Sequence, residues 1–205
     1  MAHRGPLSHI LKALSAAPIA PAAPVAIGTA ASDIDTPSLV LDLDAVERNL
    51  AVMKQYALEK NVVLRPHAKL HKSSQLARLQ VERGGAVGVC VQKVAEVAAM
   101  ARGGVADIFI SNEVVAPHKL DAVVELARFL RAAHGGAGKL TLCVDSVAGV
   151  ELLRDALQRS AASGAAPVTV GVFIEVEVGQ GRCGVAAGEP AVAVGDRRVA
   201  EDDED

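Results

Sequence analysis

Val62-Val63-Leu64-Arg65-Pro66-His67-Ala68-Lys69-Leu70-His71-Lys72 is the stretch on which the fold turns. Its apolar opening reads as a β-strand, and strand side chains alternate faces with period two. Continued through Lys69, the strand puts Arg65, His67 and Lys69 on one face. So basic a face is costly to bury unless it meets an anion. It also suits one kind of chemistry. A lysine crowded by other cations has its pKa lowered, and its free amine can attack a carbonyl to form a Schiff base. A solvated basic edge strand is the plainer reading of the same residues, and this segment alone does not separate the two.

Working outward, strand-like and helix-like runs alternate. Ser38–Leu43 is a strand candidate. Asp44 can cap a helix whose Val46, Leu50, Met53 and Ala57 share a face. After the strand Val62–Ala68 comes a helix over Ser73–Arg83, closed by Gly84-Gly85. The same punctuation repeats: strand Val87–Val91, helix Lys93–Arg102, strand Asp107–Ser111, helix Pro117–Ala133, strand Leu140–Val144, helix Val147–Ser163, then a long strand Val168–Val178. This is the signature of βα units and a parallel sheet, hence an α/β fold. The strands run out at Lys69, Gln92, Asn112, Asp145 and Arg182. An apolar core would select none of these. Active sites of (β/α) barrels form at C-terminal strand ends. A doubly wound sheet also binds ligands there, so the pattern leaves both architectures open.

Composition sets the bounds. With 205 residues, 51% of them hydrophobic, the chain can build one sizeable core. Only 2% are aromatic and the net charge is −3, so stacking on nucleic acid or attraction to a membrane surface has no support. Cys90, Cys143 and Cys183 are odd in number, widely spaced and without a CxxC pair, which favours reduced thiols over a disulfide framework. Residues 1–35 hold an Ala- and Pro-rich leader, read as either a disordered tail or an organellar transit peptide. Pro18, Pro21 and Pro24 break its uncharged run, which rules it out as a spanning helix. Residues 191–205 end in an acidic run that reads as a solvated, disordered tail. The folded domain is expected over 36–190.

Gly179-Gln180-Gly181-Arg182-Cys183-Gly184 spells GxGxxG after a strand. The dinucleotide reading is rejected: the fingerprint opens a first βαβ unit, whereas this one follows a series of them, and Glu175 and Glu177 precede it. His67 and His71 straddle a strand end and lack the HExxH glutamate. His118 and His134 sit at helical, exposed positions. No metal site is expected within the chain.

Taken together, Thr36–Asp44, Arg65–Lys72, Gly88-Val89-Cys90-Val91-Gln92-Lys93, Ser111-Asn112-Glu113-Val114 and Val178–Val185 resemble fold-type III pyridoxal-phosphate enzymes. They are most similar to the D-threonine aldolase and D-serine dehydratase-like group with an alanine racemase-type barrel. The resemblance runs in order over roughly 36–190. It implies a partial (β/α)8 barrel, about five of the usual eight strands, without the C-terminal β domain that Ser38–Leu43 would join.

The resemblance also implies roles. Lys69 would hold pyridoxal 5′-phosphate as a Schiff base, with Lys72 its competitor in the same motif. Arg182 would face the cofactor ring near its phenolic oxygen. Gln92 and Asn112 would stand at neighbouring strand ends, and His67 beside the lysine. A divalent metal, Mn or Zn, would orient the substrate hydroxyl through ligands outside this chain. The implied activity is cleavage of D-threonine to glycine and acetaldehyde, by a short form expected to be inactive alone. The alternatives are a D-serine dehydratase releasing pyruvate and ammonia, a racemase, or a non-catalytic cofactor-binding fragment. The implied partner is a small D-amino acid, with a homo-oligomer as the assembly. The implied location is intracellular, cytoplasmic or organellar.

Overall fold

The computed structural model describes residues 25–196 and divides the chain into two units, Met1–Asp42 and Leu43–Asp205. Most of the leader and the acidic run lie outside the described residues. Among the described residues of the first unit, regular structure is confined to a 3-10 turn at Ala31–Asp33. The strand expected at Ser38–Leu43 does not form. Leu39 and Val40 stand exposed, and no described strand pairs with them. A strand without a neighbour has no ladder to hold its backbone groups, so this stretch stays irregular.

The second unit opens with helix α1 (Leu43–Lys60) and continues through α2 (Ser74–Glu82), β1 (Val89–Val91), α3 (Val94–Arg102), β2 (Asp107–Glu113), α4 (Pro117–Ala133), β3 (Lys139–Val144) and α5 (Val147–Ala162). It closes with β4 (Gly171–Ile174), β5 (Val176–Glu177), β6 (Val185–Ala186) and α6 (Glu189–Gly195). Local chemistry sets these boundaries. The Ser73 hydroxyl accepts from the Leu76 N–H at 3.3 Å, and Ser146 accepts from Gly149 at 3.2 Å, so two helices start on side-chain caps. Pro117 opens α4, where its absent N–H costs nothing. No helix of the described residues is long and apolar enough to cross a membrane.

Four strands form one sheet in the order β1-β2-β3-β4, every pairing parallel. One face of that sheet presents Val89, Val91, Ile108, Ile110, Leu140 and Leu142 to the helices. Against them pack Met100 from α3, Leu120 and Leu130 from α4 and Leu153 from α5, each at most 1% exposed. Burying a side chain of this size contributes about 1.5–3 kcal/mol, so this interface dominates the stability of the unit. The other face carries Cys90, Phe109, Thr141 and Phe173, with Phe109 and Phe173 in an edge-to-face contact at 5.0 Å. Sequential strand order with helices on one face alone is barrel architecture. A doubly wound sheet reverses its order and is covered on both faces. The partial barrel expected from the sequence is therefore the fold.

Two expected strands are altered. Val62–Ala68 is reduced to two parallel bridges, Leu64 with Ala86 and His67 with Cys90. One extra residue on the second segment offsets the two bridges, and Pro66 has no N–H to extend the ladder. With β1–β4 this segment still makes the fifth barrel position. The long strand Val168–Val178 is also divided: β4 ends at Ile174, and β5 leaves to pair with β6. Glu175 sits at the break. Downstream, α6 carries the helical chain past residue 190 to Gly195.

Candidate functional site

At the C-terminal ends of the strands lies a cavity of about 350 Å³ whose walls include His67, Lys69, Gln92, Asn112 and Arg182. All five residues singled out from the sequence meet there. Ser111, Glu113, Cys143, Glu175 and Cys183 complete the polar lining. An adjoining hollow of about 490 Å³ shares Gln92, Asn112 and Glu113 and extends over Lys93 and Lys119.

The basic segment builds one wall, but not as a simple alternating face. The Arg65 guanidinium bonds both oxygens of Asp107, at 2.5 and 3.2 Å, below the cavity. Its charge is neutralised there, so it does not crowd Lys69. Lys69 lies in a turn after the bridge, closed by the Lys72 N–H donating to the Ala68 carbonyl at 2.8 Å. His67 is tied into the floor. Its Nδ1 accepts from the Lys69 N–H at 3.3 Å, which assigns the proton to Nε2. Nε2 then donates to Ser111 Oγ at 3.1 Å, and Ser111 donates to the Val91 carbonyl. Burial lowers the His67 pKa from its ordinary value, and the charge of Lys69 lowers it further. His67 is thus a neutral, oriented ring.

Strand β2 supplies the second wall. Ile110 pairs with Leu142, yet the next pairing joins Glu113 to Cys143, so Ser111 and Asn112 bulge out of the ladder. Strict alternation would turn Asn112 away. The bulge lets Ser111, Asn112 and Glu113 all border the cavity. Glu113 and Glu175 face each other there. The bond to Glu113 raises the Glu175 carboxyl above its ordinary range, and burial adds to the effect. Glu175 therefore holds its proton more tightly against Glu113. Glu113, Glu175 and Cys183 also bring one potential ligand atom each within 4.8 Å of one another. This grouping was not foreseen from the sequence. Period-two counting from Phe109 would have found Glu113, and counting from Phe173 would have found Glu175. The same environment keeps the thiols protonated: burial, then Glu175, pushes Cys143 up to about 12, and Cys183 is raised by lost hydration and Glu113. Neither is a nucleophile. The cluster fits a proton, and it is not the ligand set that the resemblance places outside this chain.

The glycine loop forms the third wall. Glu177 reaches forward to accept from the N–H groups of Gly179, Gly181 and Arg182. Those bonds, from Gly181 foremost, hold its carboxyl below the ordinary range. The amides that a dinucleotide would need are taken by the protein's own carboxylate, in accord with the rejected fingerprint. Gly184, at φ 107°, has no room for a Cβ, which would fall 2.6 Å from the Glu177 nitrogen. Asp145, the remaining strand-end residue, accepts from the Gly184 N–H at 3.4 Å and supports the loop from behind. The donors fit pyridoxal phosphate: an amine for its aldehyde, a guanidinium for an anionic oxygen, and amides around a cavity of cofactor size.

A family model described as "Alanine racemase, N-terminal domain" matches residues 41–202. The 3-hydroxy-D-aspartate aldolase of Paracoccus denitrificans (strain Pd 1222) is 41% identical over 171 residues, 83% of this chain and 41% of that protein. The D-threonine aldolase of Arthrobacter sp is 41% identical over 163 residues, 80% of this chain and 39% of that one. The crystal structure of D-threonine aldolase from Filomicrobium marinum superposes with a TM-score of 0.71 at 42% identity, covering 80% of this chain and 41% of that one. The chain thus spans about two fifths of the length of the relatives it matches.

Proposed function

The chain belongs to the alanine racemase N-terminal domain family, and from that premise we propose that it supplies the lysine-bearing part of a pyridoxal-phosphate lyase for D-β-hydroxy amino acids. D-threonine aldolase is the specific reading, and 3-hydroxy-D-aspartate is the neighbouring substrate class. One observation carries the proposal: Lys69, His67, Gln92, Asn112 and Arg182 come from four separate segments and border a single cavity.

Pyridoxal phosphate, when bound, supplies the electron sink for the carbanion left on glycine. The protein's own residues do the rest. Lys69 offers the amine that anchors the cofactor aldehyde. His67, neutral and bonded to the Lys69 backbone and Ser111, holds the turn from below. Arg182 stands on a loop held by Glu177 and would offer cationic donors to an anionic oxygen of the cofactor. Gln92 and Asn112 are amide donors at the rim. Cleavage breaks the Cα–Cβ bond. The β-hydroxyl would give its proton to solvent as its oxygen becomes the aldehyde C=O, and Cα would take one proton from solvent in return.

The test is borohydride reduction in the presence of pyridoxal phosphate, followed by peptide mapping. The label belongs on Lys69. Labelling of Lys72, or of scattered surface lysines, overturns the assignment. Aldehyde from D-threonine without pyruvate from D-serine separates cleavage from elimination.

A further inference from the structure

Two lysines compete in the 65–72 segment, and the structure treats them differently. The i to i+4 bond from the Lys72 N–H to the Ala68 carbonyl places Lys69 and Lys72 on one turn. Lys69 borders the cavity and Lys72 stands at the end of the same turn. Lys72, however, has a left-handed φ of 50°, and its Nζ meets Glu96 Oε1 at 2.5 Å. The second oxygen of Glu96 accepts from the N–H of Gln92 at 2.8 Å and of Lys93 at 3.2 Å. One carboxylate therefore grips the competing lysine, the rim residue Gln92 and the start of α3. It is only 12% exposed, whereas the Lys72 side chain is 62% exposed.

We propose that Glu96 is a positioning residue that decides which lysine takes the cofactor: it holds Lys72 aside and fixes the turn so that Lys69 alone meets the cavity. This rests on the cofactor reading above. The covalent step is the same for either lysine. The free amine adds to the aldehyde carbon, one water leaves as C=N forms, and borohydride delivers hydride to that carbon while solvent protonates nitrogen.

The experiment compares the wild-type chain with Glu96→Gln, each treated with pyridoxal phosphate and borohydride and mapped. Wild type should label Lys69. Label on Lys72 in wild type overturns the proposal, whereas label on neither lysine defeats the cofactor reading and leaves the role of Glu96 to the acetylation below. In Glu96→Gln, with native circular dichroism, the Lys72 to Lys69 ratio should rise, by up to about fivefold for a part-exposed ion pair. An unchanged ratio overturns the proposal. A second measurement needs no variant. Trace acetylation of wild type without cofactor should modify Lys69 faster than Lys72, whose exposure leaves Glu96 as the cause of its protection. Equal or faster acetylation of Lys72 also overturns the proposal.

Discussion

The Arg65 guanidinium and the Asp107 carboxylate form a two-pronged ion pair across Gly88, tying the bridged segment to the foot of β2. A Cβ on Gly88 would fall 2.3 Å from the Asp107 carbonyl oxygen and 2.8 Å from Arg65 Nη1. The side chains are 23% and 20% exposed, so the pair is neither free in water nor fully desolvated. Asp107→Ala leaves the guanidinium uncompensated and should cost about 1–3 kcal/mol. Gly88→Ala meets backbone that cannot yield and should cost about as much. Urea unfolding checks both. Loss of less than about 0.5 kcal/mol in either variant contradicts this account of the pair.

Acidification acts through His67. Its folded pKa is lowered, so the unfolded chain binds the proton more tightly. The stability this contributes is present above the ordinary histidine value of 6.5 and is lost as pH falls through the folded value. The His67 contribution should therefore be lost between pH 7 and pH 5 (about where histidines titrate), and it is read as the wild-type melt less that of His67→Gln. His67→Gln should flatten that part of the curve. An unchanged slope in the variant would place the acid sensitivity elsewhere.

The loop that carries Arg182 is shaped by Glu177, and the two residues should fail differently. Arg182→Ala removes a charged donor and should weaken pyridoxal phosphate binding on the order of tenfold. Glu177→Ala leaves the guanidinium in place and frees the N–H groups of Gly179, Gly181 and Arg182. It should weaken binding less, while speeding amide hydrogen exchange across 179–182. Full protection there in Glu177→Ala shows that the loop does not depend on the carboxylate.

These features differ in how far the sequence reveals them. The helix Pro117–Ala133 falls where the proline start and Gly135-Gly136 place it, because both signals are local. The five site residues are also local features, polar residues at or just past strand ends. What escapes is set by partners far along the chain. Asp107 lies forty-two residues from Arg65, and nothing in the basic segment names it. The bulge at Ser111-Asn112 depends on the register with β3, and the break at Glu175 on β5 choosing β6 over the main sheet. Ser38–Leu43 has strand composition but no described neighbour, and composition alone does not make a ladder.

Glu175 offers the last and sharpest test, because its effect on stability has a defined sign. Its folded pKa is raised, first by the bond to Glu113 and then by burial, with Asp145 adding repulsion. The folded state therefore holds this proton more tightly than the unfolded chain does. The resulting stabilisation is complete below the ordinary glutamate value of 4.5 and is lost as pH rises through the folded value. Above that, the two carboxylates repel. Glu175→Gln can donate an amide hydrogen to Glu113 at every pH and carries no charge. It should melt close to wild type at about pH 4, where Glu175 holds its proton. It should then gain on wild type as pH is raised to about 8. Thermal melts of both proteins across that range give the difference directly. A gap that stays constant with pH, or that narrows toward the alkaline end, means that Glu113 does not hold the proton of Glu175 in place.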